Sequence, residues 1–154
     1  PGGKEVETLT RLSRVGFDNC LGFLNGGINE WENQGNPISS IETIKSKDFV
    51  DILKLNKINI LDVRSKSEFD NKHIEGAINF PLNSLQEMSK EIKYEDKLYV
   101  HCAGGYRSVI AISILMKLGF KAMTNITEGF NEILKCNLNE NCYNSINSLN
   151  CNNT

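Results

Sequence analysis

The chain has 154 residues, 40% hydrophobic and 23% charged, with a formal net charge of −2 at pH 7. That length is enough for a domain with a true core, and the small negative charge lacks the basic footprint of a nucleic-acid binder. No apolar run reaches membrane-spanning length, so no membrane partner is expected. The opening Pro1-Gly2-Gly3-Lys4-Glu5 has no initiator Met and none of the layout of a signal peptide, and reads as the start of a piece excised from a longer protein. The five cysteines, Cys20, Cys102, Cys136, Cys142 and Cys151, are odd in number and scattered. They suggest neither a disulfide framework nor a zinc site, so no metal or cofactor is expected and a reducing cytoplasm is the simplest home.

Residues 5 to 15 predict a helix, because Val6, Leu9 and Leu12 share a face that Val15 extends. Gly16-Phe17 ends it. Cys20 to Leu24 reads as a short strand, and Gly26-Gly27 opens a second helix through Trp31 that ends by Gly35. Asn36-Pro37 marks a boundary, dividing residues 1–38 from 39–136. Beyond it Ile41 and Ile44 suggest a strand, and Ser46 is placed to cap a helix over Lys47 to Leu55 whose apolar side is Phe49, Val50, Ile52 and Leu53. Ile58 to Val63 is a strand. Ser65-Lys66-Ser67-Glu68 fits a capping box and so begins a brief helix. Ala77 to Phe80 is a strand stopped by Pro81, and Leu82, Leu85 and Met88 mark a further helix. Then come a strand over Leu98 to His101, a helix over Arg107 to Leu118 closed by Gly119, a strand over Ala122 to Ile126 and a last helix over Gly129 to Lys135. Residues 137–154 are Asn-rich and polar, a tail with little core of its own in which Cys142 and Cys151 are bystanders.

Strands alternating with helices at this spacing imply an α/β fold with a mostly parallel central sheet and helices on both faces. In such a sheet the functional site lies beyond the carboxyl ends of the strands. Cys102 stands at such an end, followed by Ala103-Gly104-Gly105-Tyr106-Arg107-Ser108 and then a helix. Glycines let the backbone turn tightly with its N–H groups inward, and the helix start and Arg107 add positive charge. A thiolate is stabilised in that setting and is the reactive form of the residue; the bland reading is a small buried hydrophobe at a strand end. Arg64 ends its own strand at the same edge and is counted with the substrate-binding residues, its alternative being a structural ion pair. His101 precedes Cys102 on the strand and so faces the other way, which argues for a packed histidine over a catalytic base. His73 is read as structural, and Asp62 and Glu68 as braces for Arg64 or a helix end.

There is also an internal echo. Val15-Gly16-Phe17 followed by Gly26-Gly27-Ile28-Asn29-Glu30 resembles Leu118-Gly119-Phe120 followed by Glu128-Gly129-Phe130-Asn131-Glu132. Residues 5 to 35 therefore read as the closing third of a second copy of the same fold, the alternative being a common α/β unit.

Leu61-Asp62-Val63-Arg64, Glu68-Phe69, His73-Ile74-Glu75-Gly76-Ala77-Ile78-Asn79 with Pro81, the loop from Cys102 to Ser108 and the ending Gly119-Phe120…Gly129-Phe130 together resemble the rhodanese-like domain family, over about Ile41 to Leu134. Two positions depart from the usual pattern. Lys72 stands for the Gly before the motif His, and Glu128 for the first of two glycines before the last helix. The resemblance implies a three-layer sulfurtransferase fold with Cys102 as the active-site cysteine and no cofactor. The stretch from Thr10 through Asn19 is similar to the region joining modules in proteins where a metallo-β-lactamase-fold hydrolase precedes rhodanese-like domains, which implies such a domain upstream in a full-length chain.

The expected reaction is double displacement, in which Cys102 takes a sulfur from thiosulfate or a persulfide donor and a thiol acceptor removes it. Arg107 is expected to orient the anionic donor and lower the thiol pKa, and the N–H groups from Ala103 to Ser108 to hold the terminal sulfur. Gly104 and Gly105 permit the turn, Ser108 either bonds the thiolate or caps the helix, and Tyr106 lines the entrance or is an ordinary surface residue. The rivals are a Cys-dependent phosphatase or arsenate reductase, whose loops are Cys-x5-Arg against the Cys-x4-Arg here, and a non-catalytic rhodanese-like docking module.

Overall fold

The computed structural model describes residues 3–14, 19–92, 97–136 and 143–145. The chain divides into two units, Pro1–Ser40 and Ile41–Thr154.

The first unit contains helices α1 (Glu5–Ser13) and α2 (Gly27–Asn33), neither with a buried residue. The predicted helices are present, whereas the Gly16-Phe17 stop lies outside the described residues. The strand expected over Cys20 to Leu24 does not form. A strand exists only where a neighbour completes its ladder, and no other strand occurs among the described residues of this unit. Gly26 and Gly27, with φ of 78° and 66°, form the two-residue left-handed turn that opens α2.

In the second unit five strands form one parallel sheet, β1 (Glu42–Ile44), β2 (Asn59–Asp62), β4 (Ile78–Asn79), β5 (Leu98–His101) and β6 (Met123–Ile126), in the order β1-β6-β5-β2-β4. Between them run α3 (Ser46–Leu55), α4 (Lys66–Asn71), α5 (Leu85–Met88, continuing into a 3₁₀ turn), α6 (Tyr106–Lys117) and α7 (Gly129–Ile133). The apolar strands are covered on both sides, as their unbroken hydrophobicity requires. Leu61, Val63, Val100 and Cys102 pack with Leu85 of α5 and Ala111, Ile112 and Leu115 of α6. Ile60 and Ile126 pack with Phe49 and Val50 of α3 and Phe130 and Ile133 of α7. The period-two alternation of a strand thus sorts adjacent residues into different layers. Among the described residues no helix is long and apolar enough to cross a membrane.

Two local readings are corrected. Ser46 is the first residue of α3 and makes no cap; its Oγ donates to the carbonyls of Thr127 (2.7 Å) and Gly129 (3.3 Å). The tail is not wholly irregular, because β7 (Tyr143–Ser145) pairs antiparallel with β3 (Lys72–Ile74). The capping box at Ser65 and Glu68 forms as expected.

Glu128 and Gly129 repeat the turn of residues 26 and 27, with φ of 65° and 64°. A Cβ on Gly129 would lie 2.5 Å from the Cys102 carbonyl oxygen and 2.7 Å from that of Ala103, so only glycine fits. Glu128 has no such excuse for its left-handed backbone, which disfavours a side-chain-bearing residue. Glu128→Gly is expected to stabilise the protein by about 1 kcal/mol after the entropy cost of glycine. Gly129→Ala is expected to destabilise it by about 2 kcal/mol or more, both read from urea unfolding midpoints.

Candidate active site

β5 delivers Cys102 to the carboxyl edge of the sheet, and α6 starts four residues later. Gly105 is the residue before α6 and has φ of 84°. A Cβ there would come within 3.0 Å of the Glu128 backbone nitrogen, so the loop packs directly against the turn that opens α7. The carbonyl of Cys102 accepts from the Phe130 N–H (2.7 Å) and that of Ala103 from the Asn131 N–H (3.0 Å). With these carbonyls tied to α7, the following N–H groups turn toward the sulfur.

Cys102 is 1% exposed. Burial pushes its thiol up, but hydrogen bonds from the backbone and hydroxyl of Ser108 and from the backbone of Gly104 and Gly105 outweigh it, holding the pKa below the ordinary 9.0. Ser108 Oγ lies 3.7 Å from the Cys102 sulfur and 3.1 Å from the Gly105 carbonyl oxygen, and its single proton goes to the carbonyl beside a neutral thiol and can turn to a thiolate. It makes no cap to α6, so of its two expected roles the contact with sulfur is the one in place. Tyr106 is 81% exposed at the start of α6.

Arg107 has a partner that the sequence reading did not include. Its two terminal nitrogens bond the two carboxylate oxygens of Glu68, each at 2.8 Å. Glu68 also accepts from the backbone N–H of Ser65 (3.0 Å) and from its hydroxyl (2.9 Å), so one carboxylate ties the start of α4 to the start of α6. The Arg107 bonds, aided by those of Ser65, bring the Glu68 carboxyl down from 4.5 to about 2. A lowered carboxylate pKa favours the folded state above the unfolded value, and that contribution is lost as pH falls through about 2. The same pairing raises Arg107. The leading stabilisers of the thiolate are therefore the backbone and the Ser108 hydroxyl, and Arg107, held by Glu68, adds a smaller charge attraction to Cys102.

Arg64 is not at the loop. It is 4% exposed and its Nε and Nη2 grip the Asp62 carboxylate at 2.6–3.0 Å, while Nη2 also donates to the Lys72 carbonyl at 2.8 Å. Its guanidinium lies 3.9 Å over the Phe130 ring, in the layer opposite that of Cys102. Asp62 braces Arg64 and Glu68 braces a helix end, as the sequence suggested; Glu68 also holds Arg107. His101 is fully buried in the same layer as Arg64, stacked on Phe130 at 5.8 Å, and burial pushes its pKa down. Its Nδ1 meets the Cys102 carbonyl at 3.4 Å, so it is no base for the thiol. His73 is structural, with Nδ1 2.8 Å from the Phe69 carbonyl and its ring stacked on Phe69 at 3.8 Å. Ser46 and Phe130 were missed as supports of the loop. Among the described residues no group of three His, Cys, Asp or Glu is arranged to hold a metal ion.

Residues 46–136 match the rhodanese-like domain family. The relative from Bacillus subtilis named "Putative sulfur carrier protein YrkF" is 33% identical over 108 residues, covering 70% of this chain and 56% of that protein. The chain thus spans little more than half the length of that relative. Thiosulfate sulfurtransferase GlpE of Coxiella burnetii is 30% identical over 80 residues, 52% of this chain and 75% of that one. Among solved structures, a rhodanese-related protein from Thermoplasma volcanium is 28% identical with a TM-score of 0.57, covering 64% of this chain and 95% of its own. A rhodanese-like domain from Anabaena sp. shares the fold at 19% identity, with a TM-score of 0.62 and coverage of 75% and 87%.

The loop's hydrogen bonds generate a pH prediction. Alkylation of Cys102 by iodoacetamide should follow a titration with its midpoint below that of an ordinary thiol. Ser108→Ala removes a donor that favours the thiolate, so the midpoint should rise, by about half a pH unit or more. An unmoved midpoint would mean that the hydroxyl does not act on the sulfur.

Proposed function

The chain belongs to the rhodanese-like domain family, and on that basis we propose that it is a sulfurtransferase working through a persulfide on Cys102. The observation that carries the reading is the ring of donors around one sulfur, from Gly104, Gly105 and Ser108, at a cysteine whose pKa they lower. The Cys102 thiolate attacks the outer sulfur of thiosulfate or another sulfane-sulfur donor. The bond between the donor's two sulfurs breaks with its electron pair going to the leaving group, sulfite in the case of thiosulfate, and Cys102 keeps the outer sulfur as a persulfide anion. A thiol acceptor, as thiolate, attacks that outer sulfur and regenerates Cys102. N–H groups fixed in place before the reaction stabilise charge on the transferred sulfur at no cost of reorganisation.

A phosphatase or arsenate reductase reading is less well supported. Phosphoryl transfer needs donors around three oxygens and a cation for their charge, whereas this loop is Cys-x4-Arg and its Arg107 bonds Glu68. For residues 5–35 we retain the proposal of a partial second copy of the fold, supported by the left-handed pair at Gly26 and Gly27 matching that at Glu128 and Gly129.

Cys102→Ser should reduce sulfur transfer to background while leaving the unfolding midpoint within about 1 kcal/mol of the parent, since oxygen is nearly isosteric with sulfur but a poor sulfur acceptor. Inserting one glycine between Gly104 and Gly105 should impair transfer by widening the ring. Both proteins are assayed with thiosulfate and with an aryl phosphate. Phosphatase turnover by the parent that depends on Cys102, without sulfur transfer, would overturn the assignment.

A further inference from the structure

Arg107 is the sole cation among residues 102–108, and both of its terminal nitrogens are held by Glu68. Glu68 does not move freely with it, because the Ser65 N–H and hydroxyl fasten the carboxylate to the start of α4. Both side chains are 35% exposed, so the pair stands at the surface by the loop. Lys66 on the first turn of α4 is paired with Asp70, and Glu128, whose backbone nitrogen lies against Gly105, brings no cation there. What remains for an incoming anion is the set of backbone N–H groups and the partial charge of the α6 terminus, about half an elementary charge. These already stabilise the Cys102 thiolate.

Resting on the sulfur-transfer reading above, we propose that Glu68 is a specificity-determining residue. By neutralising Arg107 it makes the loop select sulfane-sulfur donors of low charge over dianionic thiosulfate. A dianion brought to a thiolate meets like-charge repulsion that the Arg107 charge, itself balanced by Glu68, offsets only in part. A donor with one charge fewer meets less repulsion and gives the same chemistry. Methanethiosulfonate is such a donor. The Cys102 thiolate attacks its outer sulfur, the bond between the two sulfurs breaks, and methanesulfinate leaves with the electron pair while the persulfide anion stays on Cys102. Thiosulfate reacts identically and releases sulfite. The two donors therefore differ at the site chiefly by one unit of charge.

The test follows sulfur uptake on Cys102 by intact mass with each donor, at low and high ionic strength, in the parent chain and in Glu68→Gln. In the parent, uptake from thiosulfate should hold steady or rise as salt screens the repulsion. In Glu68→Gln, where Arg107 is released, the thiosulfate rate should rise about five- to tenfold and then fall with added salt, while the methanethiosulfonate rate rises by about threefold at most. If the variant does not fold, the salt dependence of the parent decides alone. A thiosulfate rate that falls steeply with salt in the parent would overturn the proposal, as would a variant that slows both donors equally. Uptake from both donors with an unmoved ratio overturns the role of Glu68 alone; no uptake from either overturns the sulfur-transfer reading and this inference with it.

Discussion

Two hydrogen bonds from the first turn of α7, Phe130 N–H to Cys102 O and Asn131 N–H to Ala103 O, give the loop its shape. They face two carbonyls away from the sulfur, and the donors that follow in the chain then face it. Much else in the second unit serves to keep α7 where those bonds can form. Phe130 and Ile133 bury themselves against Phe49 and Val50 of α3, and the Ser46 hydroxyl reaches across from α3 to the Thr127 and Gly129 carbonyls. Arg64, held by Asp62, lies on one side of the Phe130 ring, and His101 stacks with the same ring. A buried ion pair contributes little net stability once desolvation is counted. Its role here is geometric, fixing the ring of the residue whose backbone N–H donates to the Cys102 carbonyl.

The lowered pKa of Cys102 follows from a contest between two effects. Burial alone would favour the neutral thiol, and the thiolate gains only because donors converge on it at fixed positions. Those donors are backbone and hydroxyl groups, which carry no net charge. The one full charge in the loop is paired with a carboxylate from another helix.

Features set by local pattern were legible in the sequence. The alternation of apolar strands and helices yields the parallel sheet, and the Ser65–Glu68 capping box is visible because its partners lie three residues apart. The placement of Cys102 beyond β5 and of His101 on the other face follows from strand periodicity alone. Features that depend on distant partners were not legible. The Arg107–Glu68 pair joins positions 39 residues apart, and the Ser46–Thr127 bond joins positions 81 apart. Arg64 ends a strand at the same edge as Cys102, yet it goes to the other layer, where Asp62 and Phe130 receive it. Cys20 to Leu24 has the composition of a strand, but composition supplies no neighbour to pair with. Glycine at 129 was read as a helix start; that it also makes room for two carbonyls is visible only once the loop is folded against it.

The account depends on sulfur arriving at one atom of one residue. The most direct measurement is peptide mapping by mass spectrometry of the thiosulfate-treated chain after blocking with an alkylating agent. The predicted result is one added sulfur on the peptide containing Cys102, removed by a thiol, and none on those containing Cys20, Cys136, Cys142 or Cys151. Sulfur distributed among the five cysteines, or found on any of the other four but not on Cys102, would contradict it.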